Sequence, residues 1–257
     1  MKRSIITHYL PFGDAQTQRR IRVLLPQTII GPLACLYLQD GQNLFFDHES
    51  YGKISWGVIE TLDHFDKNDL MVIAIDNSPD RTFEYSPWPC SVKVAGKKGE
   101  IGGKGHRYAD FIIHTVKPFI DQQYPTKKEP SGTWIGGSSL GAYISCYIAT
   151  LRPDLFGGVG VFSLASWFNE SSFLNHMEKA PIPYDQRYFI SVGDQESSSD
   201  EVPNFNEIYI QNSRNLRDLL HKKGVLDLYF QEISGIHHES TWRKAFVDFV
   251  AWIDKKV

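Results

Sequence analysis

Five residues of this chain have the spacing of a nucleophile turn: Gly137-Ser138-Ser139-Leu140-Gly141 reads G-x-S-x-G. The short apolar run Thr133-Trp134-Ile135 precedes them, and a run amenable to helix, Ala142 to Ile148, follows directly. A serine on a sharp strand-to-helix turn holds its hydroxyl in the open, and flanking glycines allow close backbone approach. The pattern alone also fits a glycine-rich structural turn. Its strand–turn–helix setting is what singles out Ser139.

A serine hydroxyl is a poor nucleophile at neutral pH. It needs a base to take its proton and an anion to hold that base in the right tautomer. In an α/β-hydrolase sheet both partners come later in the chain, each on a loop after a strand. Here Tyr188–Val192 is followed by Gly193-Asp194-Gln195-Glu196, and Leu226–Phe230 by Ser234-Gly235-Ile236-His237-His238-Glu239. The order Ser139, then Asp194 or Glu196, then His237 or His238 is satisfied, and spacing does not choose within either pair. The other histidines (8, 48, 64, 106, 114, 176 and 221) stand singly and read as surface or core residues. A tetrahedral intermediate also needs N–H donors for its oxyanion. Leu140, next after the serine, supplies one; Gly41 or Gln42, in the turn after Ala34–Leu38, supplies the other.

The elements that must position these groups are legible as short apolar blocks: Ile21–Leu25, Ala34–Leu38, Met71–Ile75, Thr133–Ile135, Val159–Phe162, Tyr188–Val192 and Leu226–Phe230. Near-continuous blocks of this kind suit a central sheet buried on both faces. Between them run segments of helical period, among them Tyr108 to Ile120, Phe205 to Leu220 and Trp242 to Ile253. The alternation predicts an α/β fold with a mostly parallel sheet. The link Pro11-Phe12-Gly13-Asp14 is too short for a helix, so the N-terminal edge is expected to be antiparallel. No linker or repeat divides residues 1–257, which read as one domain with helices on both faces of the sheet. The irregular stretch from Asn77 to about Gly105 is expected to form part of a pocket.

Composition narrows the function classes. The 257 residues are 42% hydrophobic and 22% charged, with a net charge of -3, so the basic footprint of a nucleic-acid binder is missing. There is no run of 18 apolar residues and no signal-peptide core, so no membrane partner and a cytoplasmic location are expected. Cys35, Cys90 and Cys146 are odd in number and widely spaced. That argues weakly for a reducing compartment and shows no metal-ligand pattern. No metal or organic cofactor is implied. Homo-oligomerisation is left open.

Several stretches resemble the esterase D/enterochelin esterase family of α/β-hydrolases. Leu36-Tyr37-Leu38-Gln39-Asp40-Gly41-Gln42-Asn43-Leu44-Phe45 looks like its oxyanion-loop signature, and Gly137 to Gly141 is similar to its nucleophile turn. Arg81 with Glu84-Tyr85-Ser86-Pro87, and Pro153-Asp154-Leu155-Phe156 followed by Ser163, resemble further family segments. The likeness runs from about Ile21 to Trp242. It departs from the commoner pattern at Ala142, Ser234 and Ile236. The resemblance implies His237, five residues before Trp242, as the catalytic histidine. It also implies Glu196, fourth in a Gly-x-x-Asp/Glu turn, as the acid. Such families include siderophore and feruloyl esterases, acyl-ester and S-formylglutathione hydrolases, and mycolyl transferases, so a small-molecule ester is the expected substrate. Acyl transfer or thioester hydrolysis on the same triad is the alternative, as is a binding protein that has lost turnover. Trp88, Trp167 and Phe168 are candidates for an apolar substrate pocket. Lys93, Lys97, Lys98 and Lys104 could meet an anionic substrate or form a solvated face.

Overall fold

Along the strand Ala34–Gln39, Cys35 and Tyr37 point to one side of the sheet and Leu36 and Leu38 to the other, and all four are buried. A strand covered on both faces has no polar side to show. This is why the central blocks of the sequence are apolar without alternation. The computed structural model describes residues 3–13, 17–91, 101–199 and 202–254. Eight strands form one sheet: β1 (Ser4–Pro11), β2 (Gln18–Leu25), β3 (Ala34–Gln39), β4 (Leu70–Ile75), β5 (Thr133–Ser138), β6 (Gly158–Phe162), β7 (Arg187–Gln195) and β8 (Leu228–Ile236). Their order is β1-β2-β4-β3-β5-β6-β7-β8. The strands from β3 to β8 are parallel. β1 pairs antiparallel with β2, as the short N-terminal link requires, and β2 also pairs antiparallel with β4.

The helices are α1 (Val58–His64), α2 (Arg81–Glu84), α3 (Gly105–Phe111), α4 (Lys117–Gln123), α5 (Leu140–Leu151), α6 (Glu170–Lys179), α7 (Phe205–Lys222) and α8 (Glu239–Ile253). The periodic stretch Tyr108 to Ile120 is helical throughout, but a π-turn at Ile112–Val116 separates α3 from α4. One apolar cluster packs Phe111, Ile144, Phe173, Tyr209 and Leu216 against one face of the sheet. A second packs Leu62, Trp242, Phe246 and Phe249 against the other. Cys35 and Cys146 are buried, and burial pushes the Cys35 thiol up to about 12, so they serve as packing groups.

Two expectations need adjustment. The last strand is longer than the apolar block Leu226–Phe230. Leu226 is exposed, and β8 runs through the polar half-buried stretch to Ile236, since an edge strand needs only one apolar face. The stretch 77–105 holds the one-turn helix α2 and a bridge pairing Pro89 with Gly102. Its residues 92–100, which include Lys93, Lys97 and Lys98, lie outside the described residues. Among the described residues, no helix is long and apolar enough to cross a membrane.

Candidate active site

The C-terminal ends of the parallel strands all open onto one edge of the sheet, where ligands of open α/β sheets bind. Ser139 follows β5, Glu196 follows β7 and His237 follows β8. The Gly41–Asn43 turn follows β3, Asp76 and Asn77 follow β4, and Ser163 follows β6. The sheet's own topology therefore gathers residues that are far apart in sequence.

Ser139 sits at φ 58°, ψ −123°, a conformation rare for a residue with a Cβ. Its N–H donates to the Phe162 carbonyl at 2.9 Å, which pins the turn to β6. Gly137 is required by space, because a Cβ there would meet the Gln39 side chain and the Gly141 backbone at 3.0 Å. The turn feeds into α5, whose first residue is Leu140. A helix's first N–H groups have no acceptor within the helix, so the Leu140 N–H, next after Ser139, is a donor without an intrahelical partner.

The structure treats the two members of each pair differently. A register shift between Gly193 and Gln195 breaks the β7–β8 ladder, and bulges of this kind re-aim side chains. Glu196 turns inward and is 1% exposed, while Asp194 stays outside and accepts the Gly235 N–H at 2.9 Å. Glu196 Oε1 accepts the Gly193 N–H at 2.9 Å and the Ser163 hydroxyl; Oε2 lies 2.5 Å from His237 Nδ1. A buried carboxylate of this kind can only accept, so Nδ1 carries the hydrogen and Nε2 is left as the acceptor. His238 is employed otherwise. It caps α8, with Nδ1 accepting the Ser240 N–H at 3.1 Å. Among the described residues the Ser139 hydroxyl makes no hydrogen bond to His237, although both line one cleft. Hydrogen bonds of catalytic groups are often long before substrate binds and tighten in the complex.

Three groups surround the histidine: Trp242 and Ser163, which the sequence marked only through the family resemblance, and Tyr209, which it did not single out. Trp242 packs edge-on against the imidazole at 5.1 Å, and its Nε1–H donates to Ser163 Oγ at 2.8 Å, so Ser163 bridges Trp242 and Glu196. The Tyr209 ring lies 4.8 Å from the imidazole, on the side opposite the sheet's second core. The Tyr209 hydroxyl, pushed up to about 12 by burial, meets Ser198 Oγ at 2.5 Å and faces Ser139 and Trp167. Tyr209 stands four residues after Phe205 on the buried face of α7, a spacing that was available to read.

The turn after β3 is held by a dense polar network. Asp40 adopts a left-handed conformation at φ 54° and is 4% exposed. Arg81 grips its carboxylate with two hydrogen bonds of 2.7 Å, and Asn77 Nδ2 adds a third. The Tyr85 hydroxyl accepts the Asp40 N–H at 3.2 Å. Gly41 is buried against the backbone of β4, whereas Gln42 lines the cleft beside Ser139. Of the two sequence candidates, only Gln42 is among the residues that line the cleft.

The cleft has a volume of about 580 Å³. Trp88, Trp167 and Phe168 are not among the residues that line it. Trp88 packs on Tyr143, Tyr147 and His176, and Phe168 is buried in the larger core cluster. Trp167 lies against Phe205 and Tyr209, one ring removed from His237. Residue type predicted apolar lining, but packing drew these rings into the core. The cleft is lined instead by Asn43, Glu49, Asn77, Arg81 and Glu239, polar by type, together with Tyr51 and Trp242. Lys104 sits over the Phe83 ring, away from the cleft. Among the described residues no cluster of three His, Cys, Asp or Glu side chains is placed to hold a metal ion.

This sheet order, with Ser139, Glu196 and His237 at the ends of β5, β7 and β8, defines an α/β-hydrolase fold. The chain belongs to the family described as "Putative esterase", whose sequence profile matches residues 14–253. The uncharacterized protein YbbA of Bacillus subtilis (strain 168) is 26% identical over 245 residues, spanning 91% of this chain and 92% of YbbA. A ferulic acid esterase structure superposes with a TM-score of 0.72 at 14% identity over 98% of both chains. The enterobactin esterase FES from Shigella flexneri does so with a TM-score of 0.72 at 15% identity. It matches 98% of this chain, which spans 58% of that longer one. At such identities the structural likeness speaks to the fold alone.

Proposed function

We propose that this esterase is a serine carboxylic-ester hydrolase acting through an acyl-enzyme on a small-molecule ester. The observation that carries the reading is the buried Glu196 bound to His237 Nδ1, in the cleft that also holds Ser139. Ser139 Oγ attacks the ester carbonyl while His237 Nε2 takes its proton, and the N–H groups of Leu140 and Gln42 receive the developing oxyanion. Collapse of the tetrahedral intermediate breaks the carbonyl–alkoxy bond, and the imidazolium returns the proton to the leaving alcohol. Water then attacks the acyl-enzyme with His237 again as base, releasing the acid and restoring Ser139. Glu196 stays ionised throughout, holding the tautomer and offsetting the imidazolium charge. The buried Cys35 and Cys146 are in keeping with work in a reducing, cytoplasmic compartment.

The test is labelling with a fluorophosphonate probe, followed by turnover of p-nitrophenyl esters of graded acyl length. Wild type is expected to label and turn over, and Ser139→Ala to do neither. Wild type that neither labels nor hydrolyses any ester of the panel would refute the assignment.

A further inference from the structure

Tyr209 lies on the buried face of α7 with no exposed surface, and its ring covers the His237 imidazole at 4.8 Å and a 39° tilt. Phe205 and Trp167 pack around it, with ring centroids 5.5 and 6.2 Å away. Packing of this kind asks only for a ring. Phenylalanine would supply one without burying a hydroxyl, so the hydroxyl needs a reason of its own.

The neighbours of that hydroxyl set the direction of its hydrogen. Trp167 Nε1 is buried without a hydrogen-bond partner among the described residues and faces the Tyr209 oxygen, and an indole N–H can only donate. Ser198 Oγ, 2.5 Å from the same oxygen and on the segment that follows Glu196, can donate or accept. Ser139 is the third group that faces the hydroxyl. A nucleophilic serine gives its own hydrogen to the imidazole, so its oxygen has room to accept one. If Ser139 donated to Tyr209 instead, it would have none left for His237. One arrangement gives every hydrogen an acceptor: Ser198 and Trp167 donate to Tyr209, Tyr209 to Ser139, and Ser139 to His237 Nε2. Burial pushes the Tyr209 hydroxyl up to about 12, so it keeps its hydrogen at neutral pH.

We infer that Tyr209 is a positioning residue for the nucleophile: its hydroxyl donates to Ser139 Oγ, holding that oxygen beside the imidazole its own ring covers. The inference rests on the function proposed above. As His237 takes the serine proton, negative charge builds on Oγ, and a donor already in place strengthens its bond at that moment. The same donor acts again in deacylation. There the bond between the acyl carbon and Oγ breaks, Oγ keeps the electron pair, and the imidazolium returns the proton to it. An interaction that strengthens as charge develops acts on kcat and leaves KM little changed.

Tyr209→Phe and Ser198→Ala test this, with kcat and KM for p-nitrophenyl acetate expressed per active site, the sites being counted by fluorophosphonate labelling carried to completion. Tyr209→Phe keeps the ring and should lower kcat per site by about ten- to a hundredfold, the loss of one charge-assisted hydrogen bond, with KM within about threefold of wild type. Ser198→Ala should cost much less, because Tyr209 keeps its hydroxyl and its hydrogen still reaches Ser139. A merely structural Tyr209 would lower the number of labelled sites and leave turnover per site unmoved. A Tyr209→Phe loss per site below about fivefold overturns the inference, as does a Ser198→Ala loss at least as large as that of Tyr209→Phe. If Tyr209→Phe does not fold, 3-fluorotyrosine placed at position 209 decides, since it keeps the shape and makes the hydroxyl a stronger donor. A kcat per site that moves by about twofold or more then supports the inference, and a smaller change overturns it. Failure of the underlying function is recognised separately, because wild type would then not label with fluorophosphonate, and both proposals would fall.

Discussion

Glu196→Gln is the sharpest perturbation of the proposed chemistry, because the surroundings dictate how the amide must sit. Oε1 of Glu196 faces two donors, the Gly193 N–H at 2.9 Å and the Ser163 hydroxyl, and that hydroxyl is itself oriented by the Trp242 N–H at 2.8 Å. The glutamine carbonyl oxygen must stay there. Its NH2 then points at His237 Nδ1, now occupied by a 2.5 Å contact to Oε2. An NH2 can only donate, so Nδ1 becomes the acceptor and the imidazole hydrogen moves to Nε2. That tautomer cannot take a proton from Ser139. A wrong-tautomer substitution of this kind costs on the order of 10⁴ in turnover in a serine hydrolase, about 5.5 kcal/mol of barrier. Losing one charge-assisted hydrogen bond costs the fold only about 1.5–3 kcal/mol, so the variant should remain folded at 25 °C. The assay is kcat/KM for p-nitrophenyl acetate, paired with 15N NMR of the imidazole to read the tautomer. A folded variant with the hydrogen on Nε2 that stays within tenfold of wild type would refute the reasoning. So would a variant whose hydrogen stays on Nδ1.

Ser163→Ala removes a donor from the buried Glu196 and leaves the Trp242 Nε1–H without its acceptor. We expect a loss of about 2–4 kcal/mol by urea unfolding, and a loss under 1 kcal/mol would deny the bridge its importance. Asp40→Asn cannot answer both arms of the Arg81 fork, so the turn bearing Gln42 should loosen. Steady-state kinetics should show kcat down by about 10–100-fold with KM little changed, and an unaltered kcat would place the oxyanion donor elsewhere. Glu239→Gln bears on stability through pH. A carboxyl raised by burial is neutral in both folded and unfolded chains at low pH and costs stability once ionised. The variant should therefore melt higher than wild type at about pH 7–8, with the gain vanishing near pH 4. An equal difference at both values would contradict it.

Much of the architecture was open to reading in the sequence because parallel strands buried on both faces leave unmistakable apolar blocks. All seven blocks overlap strands, and the link between β1 and β2, too short for a helix, forced the antiparallel edge. The length of β8 was less legible, since its polar half is held by hydrogen bonds to β7 and not by apolar burial. Tyr209 was missed although it shares the buried face of α7 with Phe205, because its polar hydroxyl hides a buried ring in any apolar pattern. Trp88 and Phe168 show the opposite failure. An aromatic side chain looks the same in a sequence whether it lines a cleft or fills a core.

Local chemistry by itself determined the nucleophile turn, since G-x-S-x-G between a strand and a helix needs only neighbouring residues to take shape. It also determined that acid and histidine would come in that order, after later strands. What only the tertiary structure decided was which member of each candidate pair is brought to the other. Glu196 and Asp194 differ by a bulge that turns one inward, and His237 and His238 by which ring a helix start claims as its cap. Those outcomes depend on strand register and helix packing between segments some forty residues apart, and no local spacing carries that information.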